Sequence, residues 1–185
     1  MAYRQALTIA GDGLLKYLPS QIEICTPVTD LSKGPEKSSG QLMGIWDTGA
    51  TGSVITQKVV DILKLEPIGL TQVNTASGQE TSPVYLVDMI LPNKVLIQGL
   101  RVTLGRLTEA DTLIGMDVIC CGDFSITNIA GKTKMSFRIP SCVEIDYVKE
   151  IQANPPILVG KDGVSLSRQQ RRKLAREQAK TGHNS

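Results

Sequence analysis

Aromatic side chains are scarce in this sequence: 4 % of 185 residues, with one Trp and two Phe. A core must therefore be filled by Val, Ile, Leu and Met, and 41 % apolar residues are enough to fill one. Histidine is scarcer still. The single one, His183, stands third from last, which excludes chemistry built on a core histidine and any His-rich metal site. No run approaches the roughly 18 uncharged apolar residues of a membrane span, and the opening Met-Ala-Tyr-Arg-Gln-Ala has no apolar signal core. Neither membrane insertion nor standard secretion is expected. Twenty Lys and Arg against 18 Asp and Glu leave a net charge of +2, too small for a general polyanion binder. The four cysteines, Cys25, Cys120, Cys121 and Cys142, form no C-x-x-C pair, which excludes zinc ribbons and thioredoxin-like sites. Cys120 and Cys121 close an apolar run and are expected to be buried, reduced thiols. Reduced cysteines fit a cytoplasmic location. No metal or cofactor is implied.

What charge there is lies unevenly. From Lys161 to Ser185 seven basic residues meet two acidic ones, so that stretch is +5 and residues 1–160 carry −3. Asn154-Pro155-Pro156 breaks regular structure just before the change. The expected organisation is a domain over 1–148 with its core at about 20–142, a linker over 149–164, and a basic tail of helix formers over 165–185. In the tail Ser167 and Gln170 match a capping box, but Leu174 is nearly the only large apolar residue. Such a tail is a solvated segment or a contact for an acidic partner or for nucleic acid, whose phosphates clustered Arg and Lys would neutralise.

Within the domain the period-two signal dominates. Gln21–Cys25, Leu100–Leu104 and Ser125–Thr127 alternate polar and apolar residues, and Val84–Leu91 and Val95–Leu104 read as strands around the turn Pro92-Asn93-Lys94. Thr56 is placed to cap a helix through Val59, Val60, Ile62 and Leu63, and a second short helix is expected after Gly115. Many short strands with one or two helices make the fold mainly β and barrel-like.

The informative stretch is Gly44-Ile45-Trp46-Asp47-Thr48-Gly49-Ala50-Thr51-Gly52-Ser53-Val54-Ile55. An apolar strand delivers one carboxylate, Asp47, to a tight turn. Thr48 adds a hydroxyl, and Gly49 removes a side chain where another chain or a substrate must come close. Alternation turns Trp46 away from Asp47 and into packing. Two such carboxylates held together cannot both ionise; they share a proton and can activate a water.

Asp47-Thr48-Gly49-Ala50 resembles the active-site loop of the retropepsin-like aspartic proteases. Leu113-Ile114-Gly115 is similar to the family's second signature, whose strand packs beneath that loop and leads into a short helix. Between them, Thr75-Ala76-Ser77-Gly78-Gln79 stands where the family has its flap hairpin. The order holds over roughly 20–142, and the helix after Ile55 brings the chain nearer the cellular and bacterial branch than the viral one. The resemblance implies an acid-protease barrel with Asp47 catalytic, Thr48, Gly49 and Ala50 in the active-site loop, and Ala76, Ser77 and Gly78 binding substrate. Asp117 would sit in the following helix as a capping or inter-element partner. Only one Asp-Thr-Gly is present, whereas a bilobal pepsin-like enzyme carries two in one chain. The second carboxylate must then come from another subunit, which makes the active form a two-fold homodimer acting on a peptide or protein substrate. The competing reading is a non-catalytic peptide- or nucleic-acid-binding module of the same fold.

Position 50 supplies a test. In the resembling family it is Ala or Ser, and a Ser hydroxyl there can donate to the catalytic carboxylate, favouring its ionised form. Ala50→Ser is expected to move the pH profile of kcat/KM toward acid by less than about one unit. An unchanged or alkaline-shifted profile would show that position 50 does not face the dyad.

Overall fold

A computed structural model of the chain describes residues 4–75, 78–153, 169, 172 and 173. It divides into two compact units, Met1–Val143 and Glu144–Ser185. Among its described residues the first contains ten strands, two short α-helices and a 3-10 turn (Ile129–Gly131): β1 (Gln5–Ala10), β2 (Leu18–Cys25), β3 (Ser38–Trp46), β4 (Val54–Ile55), α1 (Gln57–Leu63), β5 (Gly69–Thr75), β6 (Gly78–Ile90), β7 (Leu96–Leu104), β8 (Thr112–Ile114), α2 (Met116–Ile119), β9 (Asp123–Thr127) and β10 (Lys134–Ile139). The protein is mainly β, as its alternating pattern requires.

Seven strands form one sheet in the order β2-β3-β8-β4-β7-β6-β5, and β2 also pairs with β6. That extra pairing, Glu23 with Ile90 through Cys25 with Asp88, closes six strands into a barrel and leaves β5 as the outer arm of a hairpin. The barrel's filling is aliphatic: Ile22, Ile24, Ile55, Leu63, Val87, Met89, Val102 and Ile114 are all buried. Alternation explains β2, where Leu18, Ser20, Ile22 and Ile24 turn inward while Gln21 is exposed. In α1, Val59, Val60 and Leu63 are buried but Ile62 is exposed, so the apolar stripe is narrower than the sequence suggests. Thr56 occupies the N-cap position without capping. Its hydroxyl donates instead to the Asp111 carbonyl (3.1 Å).

A second sheet, β1-β10-β9, is antiparallel throughout. The ordered sheet structure thus begins at Gln5, earlier than the core start near residue 20 read from the sequence. β1 is short and its alternation rests on Leu7 and Ile9 alone, too little to stand out. Across this sheet Leu7 lies opposite Phe137, and Phe137 opposite Phe124. Both Phe rings pack on Trp46, with centroids 5.0 Å (Phe137) and 5.8 Å (Phe124) away, and the Trp46 Nε1–H donates to Ser20 Oγ (3.0 Å). The chain's one Trp and both its Phe thus form a single cluster. At the edge of this sheet the Ser141 hydroxyl, Arg138 and the Cys142 N–H hold the Asp123 carboxyl well below the usual carboxylate range.

Cys120 and Cys121 depart from the expectation of burial. Cys25 is buried, but Cys120, Cys121 and Cys142 are exposed; all four are free thiols. The reason is the brevity of α2: Val118 and Ile119 bury themselves, and the next two residues fall in the turn that leads through Gly122 into β9. In the second unit, α3 (Tyr147–Ala153) buries none of its residues, and Gln169, Arg172 and Lys173 are helical and exposed. The remainder of the basic tail, most of the linker, and Ala76 and Ser77 lie outside the described residues. Among the described residues no helix is long and apolar enough to cross a membrane.

Cys25 makes the barrel's closure sensitive to alkali. Its Sγ donates to the Asp88 carbonyl (3.7 Å). Burial first, then the carboxylates of Asp88 and Glu23, push the thiol from 9.0 up to about 11. The folded protein therefore holds this proton more tightly than the unfolded chain, a contribution complete below pH 9.0 and lost as the pH rises toward about 11. Between those values the urea midpoint of the wild type is expected to fall more steeply than that of Cys25→Ala. Parallel decline of the two would show that the thiol is not a stabilising proton site.

Candidate active site

Asp47 follows the last residue of β3 and is half-buried. Two features of the sequence bring it there. Gly44 lets β3 approach β8: a Cβ at that position would lie 3.0 Å from Ile114 Cδ1 and 3.3 Å from both Ile22 Cγ1 and Thr112 Cγ2. Trp46, turned to the opposite side as alternation demands, anchors the strand's end in the aromatic cluster.

β8 runs between the two arms of the loop. It pairs parallel with β3 (Trp46 opposite Ile114, Ile45 opposite Leu113) and antiparallel with β4 (Val54 opposite Leu113, Ile55 opposite Thr112). The Asp47 N–H donates to the Ile114 carbonyl (3.0 Å), and the Met116 N–H donates to the Ala50 carbonyl (2.9 Å). The loop also folds on itself. Asp47 Oδ1 accepts the Gly49 N–H (2.8 Å), and the Asp47 carbonyl accepts the Ala50 N–H (3.3 Å). Among the described residues Asp47 Oδ2 has no hydrogen-bond partner, and neither has the exposed Thr48 hydroxyl. One carboxylate oxygen is thus fixed by the backbone and the other is left free of protein partners among the described residues.

Farther along the loop, Ser53 donates its N–H to Asp117 Oδ2 (2.9 Å) and its hydroxyl to Asp117 Oδ1 (2.8 Å). Its Oγ accepts the Gly115 N–H (3.1 Å). Asp117 is therefore the inter-element partner that the sequence suggests, and Ser53 is the residue that sequence reasoning missed. A small polar residue three places beyond Ala50 was the available signal, but nothing in its spacing identifies its partner.

Of the remaining residues read from the sequence, Gly78 pairs with Thr75 in the hairpin that joins β5 to β6, with a φ of +125° that favours glycine. Along this hairpin Gln72 Nε2 donates to Thr81 Oγ1 (2.8 Å). A cavity of about 310 Å³, lined by Met43, Thr56, Lys58 and residues 107–111, lies at the other end of β8 and includes none of the residues 47–50. There Asp111 accepts from Lys58 Nζ (2.8 Å) and the Met43 N–H (3.0 Å). Partial burial raises the Asp111 carboxyl, but these two hydrogen bonds and the Lys58 charge outweigh it and hold the group below its ordinary value. Asp111 is engaged in joining β3, α1 and β8, which suits it to structure and not to proton transfer.

Among the glycines of the loop and of the strands that hold it, Gly115 is the most closely approached. A Cβ there would lie 2.6 Å from the Gly52 carbonyl carbon, 2.7 Å from its oxygen and 2.9 Å from the Ser53 nitrogen, all backbone atoms that cannot swing aside. Gly115→Ala is expected to cost about 1–3 kcal/mol of unfolding free energy in urea melts. Gly69→Ala, where a Cβ meets nothing within 4 Å, is expected to stay within about 0.5 kcal/mol. Equal stability of the two variants would mean that the loop and α2 do not depend on this close approach.

Residues 41–120 match a protein-family model described as gag-polyprotein putative aspartyl protease. The match includes Asp47 and extends through Leu113-Ile114-Gly115 and α2. No curated protein sequence matches the chain. Among solved structures, a retropepsin-like aspartic protease from Rickettsia conorii aligns at 12 % identity and a TM-score of 0.44, over 74 % of this chain and 96 % of that one. The protease of a simian foamy virus aligns at 20 % identity and 0.37, over 55 % and 90 %. A protein of unknown function from Legionella pneumophila aligns at 15 % and 0.30, over 54 % and 83 %. The family match spans the loop and the strand that holds it, so over residues 41–120 the chain is similar to the aspartyl proteases of that family.

Proposed function

We propose that the protein is an aspartic endopeptidase whose active site forms when two copies bring their Asp47 residues together about a two-fold axis. The observation that carries this reading is the delivery of Asp47 to the start of a backbone-held loop, with one carboxylate oxygen fixed and the other without a partner among the described residues. A single copy of the loop in 185 residues supports the homodimer, since one carboxylate is half of a dyad. The unpartnered Thr48 hydroxyl is available to bond the other subunit's loop.

Two carboxylates at hydrogen-bonding distance share one proton, because ionising both would set like charges side by side. The ionised member takes a proton from a water as that water's oxygen attacks the scissile carbonyl carbon. The protonated member gives its proton to the carbonyl oxygen, and a neutral tetrahedral diol results. Collapse of the diol transfers a proton through the dyad to the departing amide nitrogen, and the carboxylic acid and amine are released. The peptide would lie extended between the loop and the β5–β6 hairpin, bonding through its main chain to strand edges. Ala76, Ser77 and Gly78 are assigned to that contact. Residues 1–148 are assigned to the protease domain and 165–185 to a basic tail outside it. Four free thiols suit a reducing cytoplasm.

Asp47→Asn keeps the shape of the side chain and removes the charge. It is expected to abolish cleavage of a peptide library while leaving folding and dimerisation nearly intact. Wild-type activity per chain should fall on dilution in step with dimer dissociation measured by sedimentation. Equal turnover by Asp47→Asn, or full activity of a monomer, would overturn the reading.

A further inference from the structure

Residues 48–52, Thr-Gly-Ala-Thr-Gly, have small side chains, and Thr48, Gly49 and Thr51 are exposed. Side-chain packing therefore does little to hold the tip of the loop, and its shape depends on tethers. Three of these are purely backbone, from Asp47 N–H to Ile114, from Met116 N–H to Ala50 and, at the loop's exit, from Thr103 N–H to the Ser53 carbonyl (3.2 Å). The fourth engages the Asp117 side chain. Ser53 is 1 % exposed, and both its donors, N–H and O–H, point at the two oxygens of Asp117 (2.9 and 2.8 Å). The acceptor side of the Ser53 hydroxyl is occupied by the Gly115 N–H (3.1 Å), and Asp117 Oδ1 also accepts the Val118 N–H (3.0 Å). With its oxygen already accepting, the hydroxyl proton is committed to Asp117, which must act as a pure acceptor. A carboxylate meets that requirement at both positions; an amide meets it at one.

We infer that Asp117 is a positioning residue for Asp47. Through Ser53 its carboxylate fixes the far arm of the loop, and so sets the direction in which Asp47 presents its free oxygen. The inference rests on the proposed dyad for its catalytic consequence, but the clamp itself is independent of that reading. A misplaced carboxylate loses transition-state stabilisation more than it loses peptide binding, because the peptide is bound largely by main-chain contacts elsewhere.

The test uses the full chain at a concentration where activity per chain no longer changes with dilution. Asp117→Asn, of the same shape, is expected to lower kcat about tenfold with KM changed by less than about twofold. Ser53→Ala should do the same. The double variant should be no worse than the more damaging single, since both remove one interaction. Wild-type kcat in Asp117→Asn, a rise in KM at constant kcat, or additive losses in the double variant would overturn the inference. Amide hydrogen exchange supplies a readout that needs no hydrolysis. Exchange across residues 47–53 should quicken in Asp117→Asn while β2 and β10 stay protected. Unchanged loop exchange in a folded Asp117→Asn would also overturn it. If the wild type cleaves nothing but the loop loosens as described, the clamp stands and the protease reading fails.

Discussion

The backbone of residues 112–116 is the constraint on which the rest of the site depends. β8 pairs with the strand that enters the Asp47 loop and with the strand that leaves it, so three residues of one strand fix both arms. The next two residues continue the work: Gly115 passes against the Gly52 backbone, and Met116 ties down the Ala50 carbonyl. A loop of small residues, unable to pack for itself, acquires a defined shape because hydrogen bonds of fixed length surround it. The aromatic cluster beneath Trp46 and the polar clip at Ser53 and Asp117 reinforce that arrangement from either side.

Around this centre the molecule repeatedly uses a carboxylate where a longer chain would use more apolar packing. Asp88, 1 % exposed, accepts the Val28 and Gly99 N–H groups and so joins the segment after β2 to β7. Asp111 joins β3, α1 and the start of β8, and Asp123 joins β9 to the residues that follow β10. Asp88 supplies acceptors to backbone donors that would otherwise be left unpaired near the core, at a cost of about 1–3 kcal/mol apiece; Asp111 and Asp123 do the same for donors nearer the surface. In a chain with so few aromatic rings, these clips give the strands their relative positions while the aliphatic side chains fill the volume.

How much of this was legible in the sequence follows from range. Strands with a clean period of two, such as Gln21–Cys25 and Leu100–Leu104, could be read because alternation is local. So could the orientation of Trp46, which depends only on the next residue along the strand. The Asp47 loop and the Leu113-Ile114-Gly115 strand were legible as a pair only through family resemblance, because the contacts between them span more than 60 residues. β1 escaped notice because a six-residue strand with two large apolar residues gives little signal until its partner β10 is known. The exposed Cys120 and Cys121 were misread because an apolar run does not disclose where a helix of four residues stops. Ser53 was invisible for a related reason: a hydroxyl's importance lies in its partner, and its partner lies 64 residues away.

The concentration of aromatics at one place has a spectroscopic consequence. The sequence has one indole, buried to 4 % exposure, at the residue before Asp47 and in contact with two benzyl rings. Tryptophan fluorescence, excited selectively over the four tyrosines, is therefore a single-site signal arising from the floor of the loop. A shift in its emission would not average over the molecule. It would report whether the short sheet formed by β1, β10 and β9 is still seated against the barrel beneath Asp47, without any label having been introduced.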